Sequence, residues 1–305
     1  MKTTKLITAA LLATLALTAC NKEDDAPLQS GQVDIRTTIC ANAGTANADI
    51  DTRATIAPDG SGTFATGDEL GLYAYAGSAA KLTNSSFKVN QTTLFWDELS
   101  TTSSITFSAY YPKGANIADA TAYGFNAATS AMPDLLVATP VTKSKGEQVS
   151  LDFRHAMHCL VVKITTNVSG WDAATAKITL IGMNATAKVN ILTGVATPGE
   201  ASEADGNYAP QTGAANTFII APQKVTTGAD WIQIELGGKT FTYQVPAQYN
   251  KPNGGGTATL SQLNSGETLT LNLAVNRDGV TLTSGDISAW DTQGTIDDTI
   301  DISGN

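Results

Sequence analysis

The stretch WIQIELGGKTFTYQV, residues 231–245, holds two runs of β-type residues on either side of Gly237-Gly238. Two glycines in this position favour a two-residue hairpin turn, because the turns that suit twisted antiparallel strands need residues that accept positive φ angles. The runs themselves are rich in Trp, Ile, Phe, Tyr, Thr and Val, which are enriched in strands. We therefore predict a tight β-hairpin that joins residues 231–236 to residues 240–245.

Similar runs recur on both sides of this hairpin, separated by Gly, Asn, Asp and Ser, while helical periodicity is nearly absent. Regularly spaced short strands of this kind are typical of β-sandwiches. The sequence therefore predicts an all-β, sandwich-like fold. The other predicted strands cover residues 33–39, 54–56, 69–75, 87–89, 93–96, 104–111, 135–138, 149–153, 156–164, 176–183, 188–192, 217–220, 268–275, 279–283 and 287–290.

The chain length allows two domains. There are 305 residues, and a typical domain has about 150. Residues 139–147 contain Pro140 and three charged side chains, which suits a linker. We predict a signal peptide at 1–19, an acylated polar linker at 20–31, a first domain at 32–147 and a second at 148–305. The net charge is -10 and no basic cluster is present, so nucleic acid is not an expected partner.

The N-terminus predicts export and lipidation. Lys2 and Lys5 precede an apolar run over residues 6–17, which has the length of a signal-peptide core and falls short of the about 20 residues that span a membrane. The run ends in Leu-Thr-Ala-Cys at residues 17–20, which resembles a lipobox with Cys20 as the acylated residue. Lysine and acidic residues at 22–25 resemble a surface-export signal, although a plain solvated tether has the same composition. We expect an outer-membrane lipoprotein exposed at the cell surface.

Few residues in the sequence suggest chemistry. Cys40 and Cys159 remain after Cys20, and the sequence does not show whether they pair. His155 and His158 are three apart in a predicted strand and would point to opposite faces, so we expect no joint metal site. The zinc-protease and serine-hydrolase motifs are missing from the sequence. We predict no catalytic, cofactor or metal site and no enzyme activity.

Tryptophans leave one alternative function open. Aromatic faces stack on sugars, although most aromatic side chains fill cores. Trp171 lies beside Gly170 and Asp172 and is the tryptophan we expect to be most exposed. Binding of glycans by a surface lipoprotein is therefore kept as an alternative function.

Six short motifs follow one another along the chain. They are Arg53-Ala54-Thr55, Gly67-Asp68-Glu69-Leu70-Gly71-Leu72, Phe107-Ser108-Ala109-Tyr110-Tyr111-Pro112, Asp134-Leu135-Leu136, Phe153-Arg154-His155 and Ile287-Ser288-Ala289-Trp290. Their order resembles that of the fimbrillins, the type V pilin lipoproteins. The resemblance implies two tandem transthyretin-like β-sandwich domains, maturation of a lipoprotein precursor by an arginine-specific protease, and assembly into a fimbria by strand exchange. It also implies other fimbrillin subunits as partners, a host or bacterial surface receptor, and a role in cell adhesion.

Two segments are candidates for the exchange. Cleavage after Arg53, which follows a run of small and polar residues, would separate the first strand from the rest; Arg36 is the alternative site. That strand would present one apolar face, and its loss would open a sheet edge to another chain. Its inward residues are Val33, Ile35, Thr37 and Ile39.

The candidate donor is the C-terminal segment, where Ile296, Ile300 and Ile302 share a face that Asp298 interrupts. Two simpler interpretations remain. Residues 33–39 would form an ordinary first strand that never leaves, and the tail would be the last strand of its own domain. If the tail is not a donor, the protein would be a tip or accessory subunit that ends the fibre.

Overall fold

A computed structural model describes residues 31–40, 61–100, 102–114, 117–130, 134–199, 208–251, 256–277 and 279–280, and the backbone of residues 55–56, 281–282 and 291–296. The described residues from Gly31 onward form one compact unit. In the described residues, no helix is both long and apolar enough to cross a membrane.

Strands make up most of the described chain, which confirms the predicted all-β class. The elements up to residue 155 are β1 (Ile35–Ile39), β2 (Thr55–Ile56), β3 (Gly62–Thr63), β4 (Glu69–Ala76), β5 (Ala79–Lys88), α1 (Trp96–Leu99), β6 (Ile105–Tyr111), β7 (Tyr123–Asn126), β8 (Leu136–Ala138), β9 (Val141–Lys143) and β10 (Val149–His155). The later strands are β11 (His158–Thr165), β12 (Lys177–Leu180), β13 (Thr186–Asn190), β14 (Val195–Pro198), β15 (Gln211–Thr212), β16 (Ala215–Ile220), β17 (Gln223–Lys224), β18 (Asp230–Leu236), β19 (Lys239–Gln244), β20 (Gln248–Asn250), β21 (Thr257–Thr259), β22 (Gln262–Leu263), β23 (Glu267–Asn276), β24 (Gly279–Leu282) and β25 (Asp291–Ile296). A 3₁₀ turn covers Ala173–Thr175.

The first sheet has the strand order β2-β3-β1-β10-β8-β6-β4-β5, with β9 paired to β6. Strand β10 alternates strictly between buried and exposed residues, as expected for a strand that covers a core with one face. Its inward residues Val149, Leu151 and Phe153 join the cluster that fills this half of the protein. Helix α1 adds Trp96, whose ring meets Phe107 edge-on with centroids 5.9 Å apart.

The second half packs two sheets against each other. One has the order β16-β11-β23-β25-β20-β21, with β24 also paired to β23, and the other has the order β15-β12-β18-β19. Trp231, Ile234 and Leu271 belong to the apolar cluster shared by these sheets. The hairpin predicted for residues 231–245 is confirmed, because Leu236 pairs with Lys239 across Gly237 and Gly238, which both have positive φ.

A third apolar cluster joins the two halves. Strands β4, β6 and β8 send alternate residues to it, including Tyr73, Tyr110 and Val137, while β11 contributes Cys159 and Val161. Both faces of these strands are therefore covered, which explains why their sequences read as continuous apolar runs rather than alternating ones. Strand β13 pairs with β7 across the same junction.

The chain leaves the first sheet after His155 and enters the second sheet at His158. The strand predicted for residues 156–164 starts two residues later, because Ala156 and Met157 connect the two sheets. Strand β10 lies after the predicted boundary at residue 147 and nevertheless pairs with β1 and β8. The division into two domains remains a prediction.

Candidate assembly site at strand β1

Strand β1 lies parallel to β10, with residue pairs from Ile35–Val149 to Ile39–Phe153. On its other side, β1 pairs with β3 where Ile39 faces Gly62. Within the described residues, the rest of that edge has no ladder partner. The strand is therefore held along most of its length by one neighbour that lies more than a hundred residues away in sequence.

Backbone hydrogen bonds fix both ends of this strand. At its start, the Val33 amide donates to the Leu94 carbonyl over 2.9 Å, and the Trp96 amide donates to the Gly31 carbonyl over 3.0 Å. At its end, the Cys40 amide donates to the Phe153 carbonyl over 3.0 Å. Residues 31–33 are thus hydrogen-bonded to the segment that leads into α1, and the chain continues from there as β1 along β10.

The inward face of residues 33–39 fills a slot in the first core. Val33 is 4% exposed and Ile39 is 1% exposed, and both belong to the apolar cluster of this half. Ile35 packs against the same cluster, and Thr37 is partly buried. We call the space occupied by Val33, Ile35, Thr37 and Ile39 the β1 slot. It is deepest at its two ends.

Aromatic rings line the end of the β1 slot near Ile39. Phe153, the strand partner of Ile39, lies in edge contact with Phe64 at 4.8 Å between ring centroids. Phe64 in turn meets Tyr111 at 5.1 Å. Phe64 precedes the turn at Gly67, and no pattern in the sequence predicts that it lines the β1 slot.

The outward face of β1 is polar. The Arg36 Nε donates to Asp34 Oδ1 over 2.8 Å, and the Gln148 amide donates to Asp34 Oδ2 over 2.7 Å. Thr38 is exposed beside the exposed Asp152 of β10. These contacts lie at the surface, where hydrogen bonds and ion pairs contribute little to stability, so the apolar face supplies most of the binding energy of the strand.

The remaining predicted site residues fall largely outside the described part of the chain. This holds for Cys20, Arg53, Ile300 and Ile302. Ile296 is the last residue of β25, and its backbone pairs with that of Leu271 in β23. Strand β25 lies parallel to β23, whose other half pairs with β24.

The sequence predicts both histidines within one strand, but the structure places them at the junction between the two sheets. His155 ends β10, and its Nδ1 lies 2.9 Å from Asp134 Oδ2, with both side chains fully buried. His158 begins β11, and its Nδ1–H donates to the Asn264 carbonyl over 2.9 Å. The Nε2 of His158 is buried and has no hydrogen-bond partner among the residues that the structure describes.

His158 should make the protein less stable in acid. Burial lowers the pKa of its imidazole from 6.5 to about 4. Above pH 6.5 the ring is neutral in both states and has no effect. Between pH 6.5 and 4 the unfolded chain takes up a proton that the folded chain does not. The free energy of unfolding is therefore expected to fall with pH, by up to about 3 kcal/mol.

Urea unfolding of the protein and of a His158→Asn variant at several pH values checks this expectation. The asparagine amide keeps a donor near the position of Nδ1 but does not titrate in this range. The difference in the free energy of unfolding between the two proteins should change by up to about 3 kcal/mol between pH 7 and pH 4. A constant difference would contradict the assignment to His158.

Titratable residues do not gather into a reactive centre in the part of the chain that the structure describes. No group of three or more His, Cys, Asp or Glu residues is placed to hold a metal ion there. Cys40 and Cys159 are both free. Burial raises the pKa of the Cys159 thiol to about 12, which keeps it protonated and unreactive at neutral pH.

Trp171 has a structural position. A Cβ added to Gly237 would overlap the indole of Trp171, so this ring lies directly on the turn of the β18–β19 hairpin. Phe241 lies beside it at 6.0 Å between centroids. A shallow cavity of about 600 Å³ next to this turn is lined by polar and charged side chains that include Lys177, Glu235 and Lys239. Trp171 is partly exposed, whereas Trp96 and Trp231 are buried.

A family model described as fimbrillin-like matches residues 52–290. No curated protein matches the chain. Among solved structures, a candidate cell adhesion protein from Bacteroides uniformis has a TM-score of 0.55 and 17% identity, over 85% of this chain and 98% of its own. A candidate cell adhesion protein from Bacteroides ovatus has a TM-score of 0.55 and 17% identity, over 85% and 97%. At this identity the two structures indicate a shared fold alone.

Proposed function

The chain belongs to the fimbrillin-like family, and on this basis we propose that it is a structural subunit of a surface fimbria that serves cell adhesion. The precursor is exported as a lipoprotein and held at the outer membrane through Cys20. An arginine-specific protease cleaves it after Arg53. Strand β1 then leaves its slot, and a strand of another subunit takes its place.

The observation that carries this proposal is the separability of β1. The strand is short, it lies at the start of the described chain, and β10 is its partner over its whole length. Val33 and Ile39 nonetheless reach into the core. An open edge beside β10 combined with apolar slots would accept any extended segment with the same alternation of side chains, because main-chain bonds provide affinity and the slots provide register.

The positions of the four arginines favour Arg53 as the cleavage site. A protease needs an exposed basic residue in a segment that can be extended in its active site. Arg36 lies within β1 and is bonded to Asp34. Arg154 lies within β10, and Arg277 lies in the short turn between β23 and β24. Residues 41–52 before Arg53 are mostly small or polar.

The lipid anchor fits this sequence of events. Each buried CH₂ of an acyl chain contributes about 0.8 kcal/mol to membrane binding, so several chains on Cys20 would hold the precursor firmly. A single cut after Arg53 would remove the covalent link between the lipid anchor and the folded protein, and departure of β1 would then release the protein from the membrane and open the β1 slot. The same cut would thus remove the covalent anchor and the covalent restraint that prevents premature assembly.

Treating the membrane-bound precursor with an arginine-specific protease tests the proposal. We expect a new N-terminus at Ala54, release from the membrane, and polymers visible by size-exclusion chromatography and negative-stain microscopy. An Arg53→Lys variant keeps the charge but removes the cleavage site, and it should remain anchored and monomeric. An Arg36→Lys variant should behave like the unmodified protein.

Three results would count against the proposal. Complete cleavage after Arg53 without any polymer would exclude assembly of this subunit by loss of β1. Polymers formed by the Arg53→Lys variant would exclude processing at this residue. A Cys20→Ala variant that stays with the membrane would contradict the lipid anchor.

A further inference from the structure

The outer face of the β15-β12-β18-β19 sheet carries a polar recess that plays no part in the exchange of β1. We call it the hairpin recess. It is the cavity of about 600 Å³ beside the β18–β19 turn, lined by Thr175, Lys177, Thr212, Glu235 and residues 236–240. Resting on the adhesive function proposed above, we propose that the hairpin recess binds a neutral oligosaccharide of the surface to which the fimbria adheres.

A row of four polar side chains crosses the floor of the recess. Lys177 of β12 lies opposite Thr212 of β15 on one side and opposite Glu235 of β18 on the other. Glu235 in turn lies opposite Thr240 of β19. Directly opposite residues of antiparallel strands place their side chains on the same face. Neighbouring strands lie about 4.8 Å apart, so the row extends over about 14 Å, which suits a short chain of sugar rings.

The sequence neighbours of this row show which face it occupies. Ile178 and Ile234, which adjoin Lys177 and Glu235 in sequence, belong to the apolar cluster between the two sheets. Because successive side chains of a strand point to opposite faces, the row faces away from that core. Both threonines of the row are exposed, and the side chains of Lys177 and Glu235 are 46% and 43% exposed. All four groups are therefore accessible to a ligand.

The charged pair at the centre of the row can both donate and accept hydrogen bonds. The Lys177 Nζ donates to Glu235 Oε1 over 2.8 Å. An ammonium has three donors and a carboxylate has about four acceptor sites, so this contact leaves most of the capacity of both groups for a ligand. Threonine hydroxyls also donate and accept. A ligand with several neighbouring hydroxyl groups matches such a row, because one hydroxyl can donate to the carboxylate while the next accepts from the ammonium.

The balance of charge in the recess favours a neutral ligand. An anion would be repelled by the Glu235 carboxylate and a cation by the Lys177 ammonium. Lys239 also lines the recess, but its Nζ donates to the Arg277 carbonyl over 2.9 Å and is thereby held at the β23–β24 turn of the opposite sheet. The net charge of the whole chain, -10, further disfavours an acidic glycan.

The turn that borders the recess is held in place by packing. Trp171 packs against the apolar cluster of this half, and a Cβ added to Gly237 would overlap its indole. The row itself lies on strands, which position side chains more precisely than loops do. A site that is already ordered loses less conformational freedom when a ligand binds, so the recess can bind a sugar without rearrangement.

The hairpin recess is shallow, and the proposed fibre compensates for the weak binding that this implies. A volume of about 600 Å³ lies in the range of small-molecule sites, but an open site buries only part of a sugar. A fimbria repeats the recess once in every subunit. Several contacts made by one fibre raise the overall affinity by factors of about 10²–10⁴ without any new kind of contact. The recess thus provides a weak contact that becomes strong in the assembled fibre.

A glycan array tests the hairpin recess with the uncleaved chain. The probe is an array of oligosaccharides that end in galactose, N-acetylglucosamine or mannose, together with sialylated and sulfated forms of the same oligosaccharides. The whole chain with Cys20→Ala, which lacks the lipid, is applied on a tetravalent carrier so that weak contacts add up. The test variant also carries Lys177→Ala and Glu235→Ala. The matched control carries Lys145→Ala and Asp97→Ala instead, because these two residues form an exposed ion pair in the first half of the protein.

We expect neutral oligosaccharides to bind the starting chain and the control alike, and the test variant to lose at least about tenfold in signal, because hydrogen bonds to charged groups are lost. Both double variants should unfold in urea like the starting chain, since exposed ion pairs contribute little to stability. A Glu235→Gln variant adds a readout of sign. It should bind neutral oligosaccharides more weakly, whereas a site for anions would bind its ligand more tightly once the carboxylate is gone.

Absence of signal from the neutral oligosaccharides, or signal confined to the sialylated and sulfated forms, would overturn the proposal. Equal binding by the test variant and the control would overturn the recess as the binding site. Polymer formation after cleavage is measured separately on the lipidated protein. Normal polymers with a silent array would refute the recess alone, whereas binding to the array without polymers would refute the proposed function and leave the recess as a sugar site.

Discussion

A chain that begins at Ala54 is expected to be less stable than a chain that begins at Gly31 by about 5 kcal/mol. The shorter chain lacks Val33 and Ile39, which are almost fully buried, and Ile35, which packs against the same cluster. Fully burying one Val or Ile side chain stabilises a fold by roughly 1.5–3 kcal/mol. Three such side chains therefore account for the expected loss, to which the main-chain bonds with β10 add.

A peptide of residues 31–40 should restore the stability of the shorter chain. Urea unfolding with and without the peptide measures the effect, since a ligand that binds the folded state alone raises the free energy of unfolding. The matched control is the same peptide with Ile39→Asp, which places a carboxylate at the deepest position of the slot. Equal stability of the two chains, or rescue by the control peptide, would contradict the slot.

This expectation also bears on the order of events after cleavage. A cut at Arg53 breaks the covalent link but leaves the apolar contacts of β1 in place, so the strand stays bound at first. It has, however, lost the high effective concentration that the intact chain provides. A segment donated by a neighbouring subunit then competes with a bound peptide rather than with a tethered strand. Cleavage is thus a switch from a closed subunit to one that is ready for exchange.

Local patterns predicted the elements whose structure depends on adjacent residues. The hairpin at Gly237-Gly238 follows from the positive φ that both residues adopt, and β10 follows from its strict alternation. The inward face of residues 33–39 follows from the same alternation. Strand β5 was predicted for residues 87–89 alone, because its earlier residues are mostly exposed at a sheet edge and show little apolar pattern.

Features that depend on distant partners could not be predicted from the sequence. No local pattern indicates that Ile35 pairs with Val149 or that the pairing is parallel. The sequence predicts a strand over residues 93–96, yet Trp96 begins the short helix α1 and fills the core from there. The closure of residues 31–33 over this segment was likewise missed. The sequence does not predict the third apolar cluster, because a strand covered on both faces has the same continuous apolar run whichever elements cover it.

The structure explains why position 71, in one of the short sequence motifs, is a glycine. The residue lies in β4 within the stretch Gly-Asp-Glu-Leu-Gly-Leu at 67–72. Its missing side chain leaves room for Tyr110, which is fully buried in the cluster that joins the two halves. The Tyr110 hydroxyl donates to Asn84 Oδ1 over 2.8 Å and accepts from the Gly114 amide over 2.9 Å.

Replacing Gly71 with Ala is expected to destabilise the protein by about 3 kcal/mol, at the upper end of the usual cost of overpacking. A Cβ at this position would overlap the ring of Tyr110 and would lie 2.8 Å from Asn84 Oδ1. Tyr110 cannot move aside without losing its hydrogen bonds, and its neighbours Tyr73 and Tyr123 limit the space for the ring. The strain therefore acts on the junction between the halves.

Gly124→Ala is the matched control. Gly124 also lies in a strand at this junction, opposite Lys188 of β13, but a Cβ there would meet nothing within 4 Å. Thermal and urea unfolding should show a loss of about 3 kcal/mol for Gly71→Ala and almost no change for Gly124→Ala. Gly71→Ala should cost less in a Tyr110→Leu background than in the unmodified protein, because the smaller side chain removes the overlap. If the two alanine variants had similar stabilities, the ring of Tyr110 would not be the reason for the glycine at position 71.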